Sequence, residues 1–218
     1  MAKMSDITIK GSLKILNPEN IKKEILKALR RRLSRKLKAA VNDIERDSSV
    51  VLLDAILGST TAKSLFNGSL REELGITDTS QVYSIIQIIA NNLQVRVDGP
   101  KISGQQIRLK IRLEAIPKDF NSKLPGIGSY QTEKGQSIDW LKWLTELGDS
   151  IIVREYDVRA GFPKSSRTGD KIMVKGKGWR VPPEHAGSQS SNFITKACDS
   201  ALGEIAKYFI LSIERALK

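Results

Sequence analysis

The sequence predicts an α+β fold, with helices first, a small and mainly antiparallel sheet next, and a long helix at the C-terminal end. The prediction rests on period: apolar residues recur at spacings of three and four from Ile21 to Ile44, at a spacing of two from Leu93 to Leu113, and at three and four again from Ile194 to Ile213. A helix brings residues three and four apart onto one face, whereas a strand turns alternate residues to opposite faces. Helical runs kept apart from strand runs indicate segregated layers, not alternating βαβ units.

Ile7, Ile9 and Leu13 alternate loosely with polar neighbours, so residues 1–16 read as an extended arm or short strand ahead of a single domain over 17–218. After Asn17 and Pro18, the residues Ile21, Ile25, Leu29, Leu33, Leu37, Val41 and Ile44 form the apolar stripe of a long helix. The rest of its surface carries Lys22, Lys23, Lys27, Arg30, Arg31, Arg32, Arg35, Lys36 and Lys38, with Glu24 the only acid between them. Such a long basic amphipathic helix repels itself and favours an acidic partner, protein or DNA. Asp47 to Ser49 are expected to interrupt or cap it before the apolar run Val50–Leu57, which Gly58 closes. A second helical segment holds Leu65, Leu70 and Leu74, with capping hydroxyls at Ser59 to Thr61 and with Gly68 and Gly75 as punctuation. A third starts at Asp78 or Thr79 and runs through Ile85, Ile86, Ile88 and Ile89, although a β-branched run also suits a strand.

The period of two then gives two strands, Leu93 to Val97 and Ile107 to Leu113, joined by a turn at DGPKISG. Residues 117–136, containing LPGIGSY, read as a protruding loop. Ser137 starts a short helix with Trp140, Leu141, Trp143 and Leu144, and Gly148 ends it. Ile151–Val158 and Lys171–Val174 read as two more strands around GFPKSSRTGD. Ile194, Ala197, Ala201, Ile205, Phe209 and Ile213 line one side of the final helix.

Chemistry is constrained by what the chain holds. It has 36 Lys and Arg against 24 Asp and Glu, a net charge of +12, which favours acidic partners. Cys198 is the only cysteine, so no intrachain disulfide is available, and its apolar helical setting reads as a small buried side chain. With His185 as the only histidine, a zinc site built from several His or Cys ligands is excluded. Glu72 and Glu73, and the series Asp43, Glu45 and Asp47, read as solvated surface acids and not as a metal-binding group. Pro182, Pro183 and Glu184 make a rigid turn beside His185, and no Gly-x-Ser-x-Gly elbow accompanies it. Gly126 and Gly128 lack the third glycine of a dinucleotide fingerprint, and Gly176 and Gly178 lack the closing Lys-Ser/Thr of a phosphate loop. These glycines read as loops for contact between subunits. No catalytic residue, metal or cofactor is predicted, and no apolar run approaches the roughly 18 residues of a membrane span, so no membrane partner is expected.

The run SRTGDKIMVKGKGWRVPPEHAGSQSSNFITKA, Ser166 to Ala197, resembles the closing motif of bacteriophage minor tail, tail-completion and neck (head-tail joining) proteins. In that motif Arg167, Thr168 and Gly169 form a turn before a strand, Trp179 with Pro182 and Pro183 forms a second turn, and Asn192 and Phe193 open the last helix. The run LFNGSLREELGI, Leu65 to Ile76, is similar to a short glycine-leucine-arginine segment of the same proteins, and together the two runs span about a fifth of the chain. The resemblance implies a non-enzymatic structural subunit of a neck or tail-completion ring that joins head connector to tail around the DNA path. Implied with it are a virion location after assembly in the host cytoplasm, a homo-oligomeric ring of six or twelve copies, neighbouring portal, connector or tail proteins, and non-specific contact with packaged DNA. A ring needs two unlike, complementary surfaces on each subunit, expected at the arm 1–16 and the loop 117–136. Two other readings come from different classes: sequence-independent nucleic-acid binding by the basic helix 22–38, and a hydrolase built on carboxylates.

Overall fold

The expected break at Asp47 to Ser49 does not occur. In the computed structural model, which describes residues 6–12, 19–104, 106–114, 128–131, 137–148 and 150–217, one helix of 40 residues, α1 (Glu19–Gly58), runs straight through it. Two of the three polar residues there find partners within the helix: Ser49 Oγ donates to the Arg46 carbonyl at 2.7 Å, and Asp47 pairs with Arg46 at 3.3 Å, while Ser48 is buried with its hydroxyl unpartnered. The apolar stripe also differs in detail, since Leu26, Leu33, Leu37, Ile44, Leu52 and Ile56 are buried while Ile21 is 53% exposed.

Three shorter helices follow. Ser59 caps α2 (Thr60–Asn67) by accepting from the Ala62 amide at 3.1 Å. Gly68 splits the expected second helix, leaving α3 (Ser69–Leu74), whose Leu70 amide is held by Ser64 Oγ at 3.0 Å. Asp78 caps α4 (Thr79–Asn91), so its isoleucines are helical, and Ile85, Ile86 and Ile89 face the core.

The strands β1 (Asp6–Ser12), β2 (Gln94–Ser103) and β3 (Gln106–Glu114) make an antiparallel sheet in the order β1-β3-β2. Of the segment DGPKISG only the last residue, Gly104, belongs to the turn. β2 continues through the rest with a register shift between Asp98 and Lys101, and the chain reverses after Ser103, where Gly104 takes a φ of 60°. Val95 and Leu109 join the core, and α1 packs against β2.

Of the loop 117–136, residues 117–127 and 132–136 lie outside the described residues, as do 1–5 and 13–16 of the arm. The part that is described does not protrude: Ser129–Gln131 forms β4, paired with β5 (Ser137–Asp139), and the Gly128 carbonyl accepts from the Leu141 amide at 3.3 Å. Ser137 is therefore in a strand, and the next helix, α5 (Trp140–Thr145), starts at Trp140. β6 (Ile151–Arg159) and β7 (Ile172–Arg180) form a separate two-stranded hairpin, and β7 runs on through GKGWR where a turn was expected.

The last helix, α6 (Phe193–Leu217), starts beside the end of α1, where Phe193 and Ala197 face Ala55 and Gly58 across a small cavity. Because α6 packs extensively on α1 from that starting point, the two helices run in opposite directions. With a rise of 1.5 Å per residue, α1 is about 60 Å long and α6 about 37 Å, so roughly the first four turns of α1 extend past its partner. This α+β arrangement buries Ile44, Leu52, Leu65, Leu74, Ile86, Leu144, Ile194 and Phe209 in one shared core.

Candidate interaction surfaces and the junction behind them

The runs Leu65–Ile76 and Ser166–Ala197 meet in space. Glu73, on α3, is only 12% exposed and receives two hydrogen bonds, one from Lys171 Nζ at 2.8 Å and one from Trp179 Nε1 at 3.0 Å. Thr168 Oγ1 reaches the Glu72 carbonyl at 3.4 Å, and Gly169 lies against the Glu72 side chain. Trp179 is 6% exposed and tilts against Trp143 with ring centroids 5.8 Å apart. The β6–β7 hairpin is thus held to α3 from its connecting loop, through Lys171, and from near its open end, through Trp179, whose ring also packs on Trp143 of α5. Glu73 was read from sequence as a solvated acid. The nearest sequence signal was its place within the motif-like run Leu65–Ile76, because its partners lie about a hundred residues away.

The glycines of VKGKGW serve the inside of this hairpin. Asp157 Oδ1 on β6 accepts from the Lys177 and Gly178 amides at 3.0 and 3.1 Å, and a Cβ at Gly176 would collide with the Asp157 carboxylate. Gly178 has a φ of 137°, a conformation that side chains rarely take. These two glycines thus have a role within the chain. In the connecting loop, Ser166 Oγ accepts from the Thr168 and Gly169 amides at 3.3 and 3.2 Å, which makes the turn expected at Arg167 to Gly169, and Arg167 is exposed.

Pro182 and Pro183 open a second turn in which the Pro182 carbonyl accepts from the His185 and Ala186 amides, both at 2.9 Å. His185, 8% exposed, is joined to Thr61 Oγ1 at 3.2 Å, which ties this turn to α2. Asn192 caps α6 and is 1% exposed, and Phe193 behind it is 5% exposed. Among the described residues no group of three or more His, Cys, Asp or Glu side chains is placed to hold a metal ion. No single described helix is long and apolar enough to cross a membrane.

The basic side chains of α1 are distributed differently from the motif residues. Lys23, Arg30, Arg31, Arg32, Arg35 and Lys36 are exposed, and Lys22 and Lys27 are partly so; Lys38 is in α1, with its side chain outside the described residues. Glu24 meets Lys27 Nζ at 2.7 Å, and that hydrogen bond and charge hold its carboxyl below the usual range. At 100° per residue the nine positions spread over roughly 280° of the helix surface. They do not form one line.

Cys198 lies on α6, and burial, with Asp199 adding to it, pushes its thiol up to about 12. Only the thiolate attacks a disulfide reagent, so at pH 8 about one molecule in ten thousand is reactive. Labelling of the native protein at pH 8 is expected to be at least about a hundredfold slower than labelling in denaturant; a rate equal to that of the unfolded chain would contradict this burial.

Comparison with family models, with curated proteins and with solved structures found no match to this chain.

Proposed function

We propose that this protein is a structural subunit of a tailed-phage neck or tail-completion ring, where it joins the head connector to the tail around the DNA path. The observation that supports this reading best is the β6–β7 hairpin. It forms a two-stranded sheet of its own, with each strand paired only to the other among the described residues. Ile151, Tyr156 and Phe162 on it are 59%, 42% and 40% exposed. A hairpin of this kind is marginal in water when free, and exposed edges invite pairing with another chain. Here Glu73 holds both its connecting loop and Trp179 near its open end, while these apolar residues stay exposed. An open hollow of about 550 Å³, lined in part by Glu73, Arg159, Lys171 and Arg180, lies beside it. An exposed apolar edge and a hollow on one molecule are unlike surfaces, as a head-to-tail ring requires.

Light scattering on the purified chain tests the reading. A closed oligomer of six or twelve copies is expected, together with its loss in Tyr156→Glu/Phe162→Glu, a variant that keeps the monomer's thermal midpoint. A chain that stays monomeric at high concentration, alone and with purified connector or tail rings, would contradict it. The second reading, sequence-independent nucleic-acid binding by residues 22–38, is supported by the exposed cations on the part of α1 that extends past α6. The spread of those cations around the helix favours several contacts of mixed kind over one duplex.

A further inference from the structure

A second basic surface lies on the sheet, and it differs in geometry from the helix. The outward residues of β2 and β3 are fixed by register: Arg96 faces Arg112, Asp98 faces Lys110, and Lys101 faces Arg108. On the other side of β3, Lys10 of β1 is in register with Arg108. Arg96, Lys101 and Arg108 are exposed, and Lys110 and Arg112 are partly so. Arg112 Nη2 bonds Asp98 at 2.7 Å, leaving the carboxylates on this face fewer than the cations.

Like charges directly opposite each other weaken a strand pair, and the Lys101–Arg108 row has this defect. A bound polyanion would remove it. Residues two apart on a strand point the same way, about 6.8 Å from each other, so these cations form a flat array, unlike those of α1.

We infer that the outward face of the β1–β3–β2 sheet binds double-stranded DNA through its phosphates, independently of base sequence. The chemistry of the face favours DNA over an acidic protein. Its positions are Lys, Arg, Gln, Ser, Thr, Asp and Glu, without the apolar or aromatic anchors that form the centre of protein interfaces, where Lys is depleted. It favours a duplex over a single strand for a related reason, because no aromatic side chain is present to stack on an unpaired base. Phosphate contacts of this sort position a protein without reading sequence. The inference does not depend on ring assembly.

The test is fluorescence anisotropy with a labelled duplex of about 30 base pairs of mixed sequence, from about 50 to 200 mM salt. Light scattering holds the oligomeric state of all variants equal. The sheet variant Arg96→Gln/Lys101→Gln/Arg108→Gln is expected to bind at least about tenfold more weakly and to lose about three units of the slope of log K against log salt, near 0.9 per phosphate contact. The helix variant Arg30→Gln/Arg31→Gln/Arg35→Gln is expected to keep the slope within about one unit. The thermal midpoint of the sheet variant should not fall, since the substitutions remove repulsion; if it does, Arg108→Gln alone should still lose about one unit of slope. No duplex binding by the unmodified chain would overturn the inference, as would an unchanged slope in the sheet variant or a loss confined to the helix variant. An acidic protein as the true occupant would show as binding of poly-glutamate, but not duplex, that the sheet variant loses, and this too would overturn it.

Discussion

Glu73→Ala is expected to lower the unfolding free energy by about 3 kcal/mol, the range seen when one partner of a largely buried ion pair is removed. The reason is what the substitution leaves behind. Lys171, 21% exposed, keeps its charge with no carboxylate beside it, and the Trp179 indole N–H loses its acceptor in a buried position. An unsatisfied buried group costs more than the bond it made contributed. Glu73→Gln keeps the shape and one acceptor oxygen but not the charge, so a smaller loss of roughly 1–2 kcal/mol is expected. Urea unfolding followed by tryptophan fluorescence measures both, with the slope checked for constancy. A loss under about 1 kcal/mol for the alanine variant would mean that water already screens the pair. If the hairpin is an assembly contact, the same variant should also weaken oligomer formation, because the hairpin would no longer be held to α3.

The elements that could be read from the sequence are those whose signal is local. The stripe of α4 and its Asp78 cap are adjacent in sequence, as are the alternating residues of β3, and both segments fold as their patterns indicate. The misreadings share a cause. Asp47 to Ser49 looked like a helix end because such residues compete for backbone bonds, but here Asp47 and Ser49 find partners along α1 and Ser48 is buried against the core side. DGPKISG up to Ser103, and GKGW, looked like turns because of glycine and proline, yet both are carried within strands by register shifts, and in GKGW the glycines make room for side chains of the partner strand. A bulge depends on a strand elsewhere in the chain, so a short window does not contain it. Glu73 illustrates the same limit for the junction: its environment is made by Lys171 and Trp179, and nothing near position 73 indicates a buried acid. The basic sheet face was written plainly in the alternation of Arg108, Lys110 and Arg112, but its density became visible only when β1 and β2 were set beside β3.

Asn192→Ala is expected to cost about 3 kcal/mol, more than an ordinary helix cap, whose loss costs about 1. Its Oδ1 accepts from the Ile194 and Thr195 amides at 3.0 and 3.1 Å, which is the capping part. Its Nδ2 donates to the Thr145 carbonyl at 3.3 Å and the Ser188 carbonyl at 3.0 Å, which ties the start of α6 to the end of α5 and to the preceding turn. All four partners lose a bond where water cannot replace it, because the side chain is 1% exposed. Asn192→Asp separates the two roles. Aspartate keeps the capping oxygen and suits the positive end of a helix, but it has no N–H to give and turns a negative oxygen towards two carbonyls. If the cross-link between elements matters as much as the cap, aspartate should be no more stable than alanine at pH 7. Near-complete rescue by aspartate, measured by the same urea unfolding, would show that the cap alone carries the effect and that α5 is held to α6 by apolar packing.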